Sequence, residues 1–202
     1  MLTSNHYAAI RNDVLGILRR DLAPDLYYHS VEHSIDVEEQ GARIARAEGI
    51  NAPEDLLLLS VACLFHDSGF LFTYSDHEEA GCTFASSCLA RYGISPRQNN
   101  TICGLIRATK IPQTPLTPLE KIICDADLDY LGRPDFTPIS MLLFQELAAR
   151  NMVKTEREWD LIQVKFIGNH HYFSNDSLQR REPAKAIQLA TIKKRLDAAQ
   201  QA

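Results

Sequence analysis

The sequence predicts a single domain built only from α-helices. Apolar residues recur at three- and four-residue spacings almost throughout the 202 residues, and the sustained alternation expected of strands is hard to find. The hydrophobic fraction of 45% and the charged fraction of 23% are those of a soluble globular protein, and the length allows one ordinary core. No repeat, low-complexity segment or long linker divides the chain, so we expect one domain over residues 1–202.

Nine helices are predicted in order along the chain. They cover residues 4–20, 30–48, 53–66, 77–92, 97–109, 117–130, 138–151, 155–172 and 183–198. Glycines and prolines separate them, most clearly the three prolines of IPQTPLTP before the sixth helix. The strings NAPED (51–55) and TPLE (117–120) are typical helix starts, because each has a capping residue, an early proline and a nearby acid.

The charge and the apolar runs argue against several classes of protein. The formal net charge is -5 with no block of Lys and Arg, which disfavours nucleic acid as a partner. The N-terminal segment lacks the features of a signal peptide, and the apolar run at 56–65 is far shorter than the roughly 20 residues that span a bilayer. Five scattered cysteines without a CxxC pair are typical of reduced core thiols. We therefore expect a cytoplasmic protein with no membrane partner; the oligomeric state is not indicated.

The most apolar segment, LLLLSVACLFHDSGF, runs into His66 and Asp67. A buried and unpaired carboxylate is costly, so such groups are normally paired, hydrogen-bonded or bound to metal. Two interpretations are open at this point. Either the helix ends here and the pair faces water, or a cation lies near the helix end, where two adjacent side chains can both reach it. Gly69 is consistent with a helix that ends here.

Two histidines four residues apart in YHSVEHSIDV form a second unusual feature. On a helix, His29, His33 and Asp36 would share one face that adjoins apolar positions. Such a pair is a familiar metal-binding arrangement, but surface histidines near a helix start explain it about as well.

Three aspartates at alternate positions in ICDADLDYLG form a third feature. Asp127 lies on the apolar stripe of its helix, four residues after Ile123 and four before Leu131, and therefore needs a buried partner. Asp125 and Asp129 are expected to be solvated on the flank of that helix. Asp127 is thus a predicted metal ligand. Two histidines and two carboxylates would form a mixed nitrogen and oxygen set, which suits Mn²⁺, Fe²⁺, Co²⁺, Ni²⁺ or Zn²⁺.

The order H…HD…D resembles the signature of the HD-domain superfamily of metal-dependent phosphohydrolases. The resemblance covers about residues 28–132. LFHDSGF is similar to the family's HDxG turn, CDADLDYLG to its DADxLxxLG segment, and YHSVEHSIDV to the first-helix motif of cyclic-nucleotide phosphodiesterases. The resemblance implies an HD-domain helical bundle with a metal site in its core.

The resemblance also implies a role for each matching residue. One divalent ion (Mn, Fe, Co, Ni, Mg or Zn) would be held firmly by His33, His66, Asp67 and Asp127, with Asp67 also part of the catalytic set. Water activated at this ion would attack phosphorus, because a divalent ion lowers the pKa of bound water toward neutrality. His29 matches the residue that donates a proton to the leaving oxygen, although a plain helix-start histidine is the alternative.

Further residues are expected near the substrate phosphate. His77 in HEEAG resembles the next element of two-metal members, but the following helix, TICGLIRATK, has no histidine. A complete second metal site and the di-iron oxygenases of this fold are therefore disfavoured. We expect His77, Arg107, Lys110 and Arg133 to bind phosphate, with Lys110 also catalytic. Solvated helix-end charges are the alternative for one or two of the cations, and a surface position is the alternative for His77.

Three further expectations concern neighbouring residues. Asp36 could orient one of the two histidines on its own helix, and Asp76 could position a water. In FIGNHHYFSND, either His170 or Tyr172 is expected to border the pocket.

The predicted function is that of a metal-dependent phosphohydrolase. Its substrate would be a phosphomonoester or phosphodiester of a nucleotide-like small molecule. The YHxxxH motif favours a phosphodiester, but LFHDSGFLF lacks the further histidine that phosphodiesterases have after HD. The alternative is a nucleotide-binding or signalling module that keeps the metal and turns over little.

Overall fold

The computed structural model describes residues 2–198, which form ten α-helices, two short 3-10 helices and no strand. The α-helices are α1 (Ser4–Asp21), α2 (Val31–Ala47), α3 (Pro53–Phe65), α4 (His77–Ala90), α5 (Pro96–Ala108), α6 (Pro118–Asp127), α7 (Phe136–Ala149), α8 (Glu156–Asn169), α9 (Asn175–Arg180) and α10 (Glu182–Ala198). The 3-10 helices are Ser68–Leu71 and Asp129–Gly132. The predicted all-α class is confirmed.

All nine predicted helices are present, and their ends lie within three residues of the predicted ends. The predicted helix over 117–130 ends at Asp127, and the chain continues after Leu128 as a 3-10 helix. The sequence did not predict α9, because its six residues are too few to show a helical period.

Caps fix the starts of the two helices that contribute most to the site. The hydroxyl of Ser30 accepts a hydrogen bond from the backbone N–H of His33 at 3.4 Å, so α2 begins directly before this histidine. At the start of α6, Thr117 and Glu120 form a reciprocal capping box, as the TPLE string predicts. In NAPED, by contrast, Ala52 occupies the cap position and makes no side-chain bond.

Two apolar clusters fill the interior. The larger joins α1 to α6 and includes almost the whole length of α3. The smaller joins α7, α8 and α10 to the segment after α6; its buried members are Tyr28, Leu128, Tyr130, Leu131, Phe136, Ile167 and Ile192. Tyr28 and Leu128 belong to the smaller cluster, whereas Val31 and Ala126 belong to the larger. The start of α2 and the end of α6 therefore lie where the two clusters meet.

Asp125 and Asp129 are both fully buried, so the prediction that they are solvated is wrong. The carboxylate of Asp125 accepts hydrogen bonds from the backbone amides of Phe173 and Ser174, each at 2.8 Å. The carboxylate of Asp129 is paired with Arg43 at 3.0 Å and with Arg181 at 2.9 Å. The segment that follows α8 packs over this flank of α6. The helical pattern of α6 alone does not show that a distant segment will bury it.

Gly132 permits the close approach of the C-terminal segment. A Cβ at this position would lie 2.3 Å from the carbonyl oxygen of Arg181, which is closer than any real contact. Within residues 2–198, no helix has the length and apolar character needed to cross a membrane.

A buried lysine holds the end of α8 against α10. The ammonium of Lys185 donates to the carbonyl oxygen of His170 at 2.7 Å and lies 3.2 Å from its Nδ1. Lys185 also pairs with Glu182 at 2.9 Å. Burial and the positive charge of Lys185 lower the pKa of His170 to about 3. His170 is therefore neutral in the folded protein. In acid the unfolded chain binds a proton at this residue and the folded chain does not, so acid favours unfolding.

We expect His170 to make the fold less stable in acid. Its folded pKa lies below the unfolded value near 6.5, so its contribution is complete above about pH 6.5 and is lost as the pH falls toward 3. The slope from this one proton is about 1.4 kcal/mol per pH unit. In chemical denaturation at pH 7, 6, 5 and 4, a His170→Asn variant should lose less stability on acidification than the wild type. The exposed neighbour gives the control, His171→Asn, which should keep the wild-type slope; equal slopes in all three proteins would contradict the prediction.

Candidate metal centre

Four side chains from three helices meet where the two apolar clusters join. His33 lies in the first turn of α2, His66 and Asp67 directly follow α3, and Asp127 ends α6. We refer to these four residues as the His/Asp cluster. The Nε2 atoms of the two histidines are 3.3 Å apart, and Asp127 Oδ1 lies 3.2 and 3.4 Å from them. Asp67 Oδ2 lies 3.1 Å from His66 Nε2 and 3.5 Å from His33 Nε2.

The local backbone directs the ring of His66 into the His/Asp cluster. Its Nδ1 lies 2.8 Å from the carbonyl oxygen of Cys63, so Nδ1 carries the hydrogen and Nε2 presents a lone pair to the cluster. Gly69 lets the chain turn immediately after Asp67, because a Cβ there would lie 1.8 Å from the carbonyl oxygen of His77. The HDSG string therefore brings the end of α3 against the start of α4.

The charges of the His/Asp cluster fit a divalent cation. Burial alone would raise the pKa of Asp67, but the adjacent His66 holds it well below its usual range. Burial would also raise the pKa of Asp127, but the adjacent His33 and His66 lower it to about 2. Asp67 Oδ2 is buried and makes no hydrogen bond within residues 2–198. Two ionised carboxylates beside two imidazole nitrogens form a donor set typical of divalent ions, and His33, His66 and Asp127 alone could hold one.

His29 is held by a buried glutamate on α7. The carboxylate of Glu146 accepts hydrogen bonds from the backbone amides of Tyr28 and His29 at 3.0 and 3.1 Å, and from the Tyr74 hydroxyl at 2.9 Å. His29 Nδ1 lies 2.5 Å from Glu146 Oε1. Burial would raise the pKa of Glu146, but the bonds from His29 lower it, so the carboxylate is ionised and Nδ1 is the donor. The second ring nitrogen, Nε2, is then available to the cavity that His29 lines.

Sequence reasoning missed Glu146, although a signal was present. Glu146 is the one acid in the apolar helix FTPISMLLFQELAA. A single carboxylate in an apolar helix needs a partner, and this is the argument that singled out Asp127.

The ring of Phe70 lies between His29 and His77. Its centroid is 4.1 Å from that of His29 and 4.0 Å from that of His77, and both pairs are stacked. His77 Nε2 lies 3.4 Å from Asp67 Oδ1, while the other oxygen of that carboxylate faces the His/Asp cluster. Burial would lower the pKa of His77, but Asp67 raises it. The structure thus brings His29 and His77 beside the cluster and fixes both rings.

A cavity of about 560 Å³ begins at this group of residues. Asp67, Asp127, His29 and His77 all line it, and the remaining wall is largely apolar, with about half of its residues on α7 and α8. The volume is within the range of small-molecule sites. We refer to it as the main cavity.

The three cations predicted to bind phosphate do not line the main cavity. Each is paired with a carboxylate: Arg107 with Glu79 at 2.6 Å, Lys110 with Asp76 at 2.5 Å, and Arg133 with Asp36 at 2.7 Å. Asp36 therefore orients neither His33 on its own helix nor His29, which precedes α2, since Arg133 occupies its carboxylate. Asp76 is likewise engaged by Lys110. These three cations are close to the cluster residues in sequence, but their side chains form ion pairs with carboxylates outside the main cavity.

His170 and Tyr172 occupy different places. His170 lines a second cavity of about 620 Å³, which shares Ile111, Ile162 and Phe166 with the main cavity. Tyr172 is buried, and its hydroxyl donates to the carbonyl oxygen of Leu128 at 3.2 Å. Neither residue lines the main cavity.

A comparison with protein families agrees with this geometry. The family model described as HD domain matches residues 30–129, a range that includes all four members of the His/Asp cluster. Neither the search of curated proteins nor that of solved structures found a match.

Divalent ions are expected to stabilise the protein through the His/Asp cluster. At an ion concentration one hundred times Kd, the free energy of unfolding should rise by about 2.7 kcal/mol. Asp127→Asn keeps the size of the side chain and removes its charge, so we expect it to weaken binding of Mn²⁺, Co²⁺ or Zn²⁺ by about a hundredfold or more. Calorimetric titration and unfolding with and without ion measure both effects.

The control is Asp135→Asn, which changes a half-exposed carboxylate outside the main cavity. It should leave ion affinity unchanged. Equal ion affinity in Asp127→Asn and the wild type would contradict the assignment.

Proposed function

We propose, because this chain belongs to the HD-domain superfamily, that it is a metal-dependent phosphohydrolase with one firm metal site. It would cleave a phosphomonoester or phosphodiester of a small molecule of nucleotide size. The observation that carries the proposal is the convergence of four donor side chains at a cavity that a small molecule can enter. A closed structural site would leave no such space beside the ligands.

The proposed metal ligands are His33, His66, Asp67 and Asp127. When bound there, a divalent ion would activate a water for attack on phosphorus and take up charge from a phosphate oxygen. Asp67 would also position the ring of His77, since its second carboxylate oxygen lies 3.4 Å from His77 Nε2. Two carboxylates balance the charge of a divalent ion, so the loaded cluster would be close to neutral.

His29 is the proposed proton donor. When its ring is protonated, Nδ1–H is bound to Glu146 and Nε2–H is available to the main cavity. Water adds to phosphorus, the phosphorus–oxygen bond to the alcohol breaks, and the departing oxygen takes the proton from Nε2. Glu146 fixes the orientation of the ring and balances its positive charge, as a carboxylate does for a catalytic histidine elsewhere.

Lys110 and His77 are the proposed contacts to the substrate phosphate. His77 lines the main cavity, and Lys110 lies between two residues that line it, Thr109 and Ile111. The partner of Lys110, Asp76, is exposed, and an exposed ion pair is weak. Lys110 could therefore exchange Asp76 for a phosphate at the cavity mouth. Arg107 and Arg133 are less suited to this role, because neither adjoins a lining residue in the sequence. Arg107 also makes two hydrogen bonds to Glu79, and Arg133 is held by both Asp36 and Asp135.

The His29–Glu146 pair is expected to matter most for poor leaving groups. His29→Asn and Glu146→Gln should lower kcat by about 10²–10⁴ on an alkyl phosphate ester, because the alkoxide needs a proton as it leaves. The same variants should lose much less on 4-nitrophenyl phosphate or bis(4-nitrophenyl) phosphate, whose leaving group is stable as an anion. Both variants should bind Mn²⁺ as the wild type does.

Tyr74→Phe is the matched control, since it removes one hydrogen bond to Glu146 but leaves His29 in place. Its kcat should fall by about tenfold or less. An equal loss on both leaving groups would contradict proton donation by His29. If no ester is hydrolysed with Mn²⁺, Co²⁺, Ni²⁺ or Mg²⁺, the hydrolase proposal fails and a binding or signalling module is favoured.

A further inference from the structure

We infer that the main cavity selects a substrate with an apolar organic group and a single phosphoryl group. Such a substrate is a phosphate ester of an aromatic or aliphatic alcohol, not a nucleoside polyphosphate. The inference rests on the proposed phosphohydrolase function, and it names the substrate class for the same site.

The wall that α7 and α8 contribute is apolar. Its largest members are Phe136, Leu143, Leu147, Trp159, Phe166 and Ile167. Trp159, Phe136 and Ile167 are almost completely buried, so a ligand that enters would be surrounded by hydrocarbon. Burial of apolar surface against such a wall gains free energy in proportion to the area removed from water.

The charges that line the main cavity disfavour a polyphosphate. Within the described part of the chain, neither Lys nor Arg is among the lining residues. Asp67, Glu78 and Asp127 add three carboxylates to the same lining. One divalent ion with His29, His77 and Lys110 can receive one phosphoryl group, but additional phosphates would face carboxylates and apolar side chains without a further positive partner.

The polar groups that Trp159, Gln163 and Thr109 contribute to the lining are already hydrogen-bonded within the protein. Trp159 Nε1 donates to the hydroxyl of Ser140 at 3.2 Å, and that hydroxyl donates to Gln163 Oε1 at 2.7 Å. Gln163 Nε2 donates to Asp160 at 3.2 Å, and the hydroxyl of Thr109 donates to the carbonyl oxygen of Ile106. A nucleobase placed against these three residues would lose hydrogen bonds to water without gaining replacements from them, which is unfavourable.

Apolar surface continues out of the main cavity. Ile111, Met152 and Ile162 are 51%, 58% and 41% exposed and also line it. Ile111 and Ile162 lie in the lining of the second cavity as well. Large apolar side chains at the cavity mouth favour entry of an apolar group. Because the two cavities share residues, a longer alkyl chain could extend from the main cavity into the second.

Binding can be measured without turnover, because Trp159 is the single tryptophan of the chain and lines the main cavity. We would titrate the full chain in Mg²⁺ with ethyl-, butyl-, hexyl- and phenylphosphonate, and with AMP and ATP, and record Trp159 fluorescence. Affinity should rise by about two- to fourfold for each methylene from ethyl to hexyl. Hexyl- and phenylphosphonate should bind at least about tenfold more tightly than AMP, and ATP should bind no more tightly than AMP.

A matched pair of substitutions tests whether the apolar group of the ligand binds at the main cavity. Ile162→Lys places a cation at the cavity mouth and should weaken hexylphosphonate by about tenfold while it strengthens ATP. Leu161→Lys makes the same change at the neighbouring exposed residue, which does not line the main cavity, and should alter neither affinity.

Affinity that is independent of alkyl length, or AMP or ATP that binds more tightly than hexylphosphonate, would overturn the inference. These results leave the hydrolase proposal intact if nucleotide esters are hydrolysed. Conversely, phosphonates that bind as expected, with no ester hydrolysed under any metal, support the inference on the cavity and refute the hydrolase proposal.

Discussion

Two carboxylates, the buried Asp67 and the partly buried Asp127, face two imidazole nitrogens at the meeting point of three helices, and the arrangement of the site depends on this concentration of charge. Removal of two carboxylates from water is costly unless a cation compensates them. The fold keeps them together because Gly69 allows a tight turn after α3 and because α6 ends at Asp127. The hydrogen bond from His66 Nδ1 to the carbonyl oxygen of Cys63 then directs His66 Nε2 inward, 3.3 Å from His33 Nε2. The cluster is thus prepared for a divalent ion by its backbone as much as by its donor atoms.

The remainder of the site is organised by Glu146, which links α7 to the segment that precedes α2. This carboxylate comes from α7, and it binds the backbone and the ring at the start of α2. The same bonds fix the ring of His29, and Phe70 separates that ring from His77. One face of the main cavity is therefore charged and rigidly hydrogen-bonded, while the α7 and α8 wall is apolar. The contrast between the two faces is what would orient a phosphate ester.

The fold class and the members of the His/Asp cluster could be predicted from the sequence, because both depend on local patterns. The helical spacing of apolar residues predicted the helices. Asp127 was predicted from its place on an apolar stripe, and Asp67 from its place at the end of an apolar run. The errors came from contacts between distant segments: the burial of Asp129 depends on Arg181, and the role of Glu146 depends on residues more than a hundred positions away. The three predicted cations lie outside the lining of the main cavity for a related reason, since a sequence does not show which acid will bind a given arginine or lysine. The apolar wall of the main cavity, likewise, exists only once α7 and α8 are packed.

The most direct test of the account is anomalous diffraction at the cobalt edge from crystals of the full chain grown with Co²⁺. The account predicts one strong peak at about 2.0–2.3 Å from His33 Nε2, His66 Nε2 and an oxygen of both Asp67 and Asp127. A peak elsewhere, or density in which these four side chains bond only to protein and water at saturating Co²⁺, would contradict it.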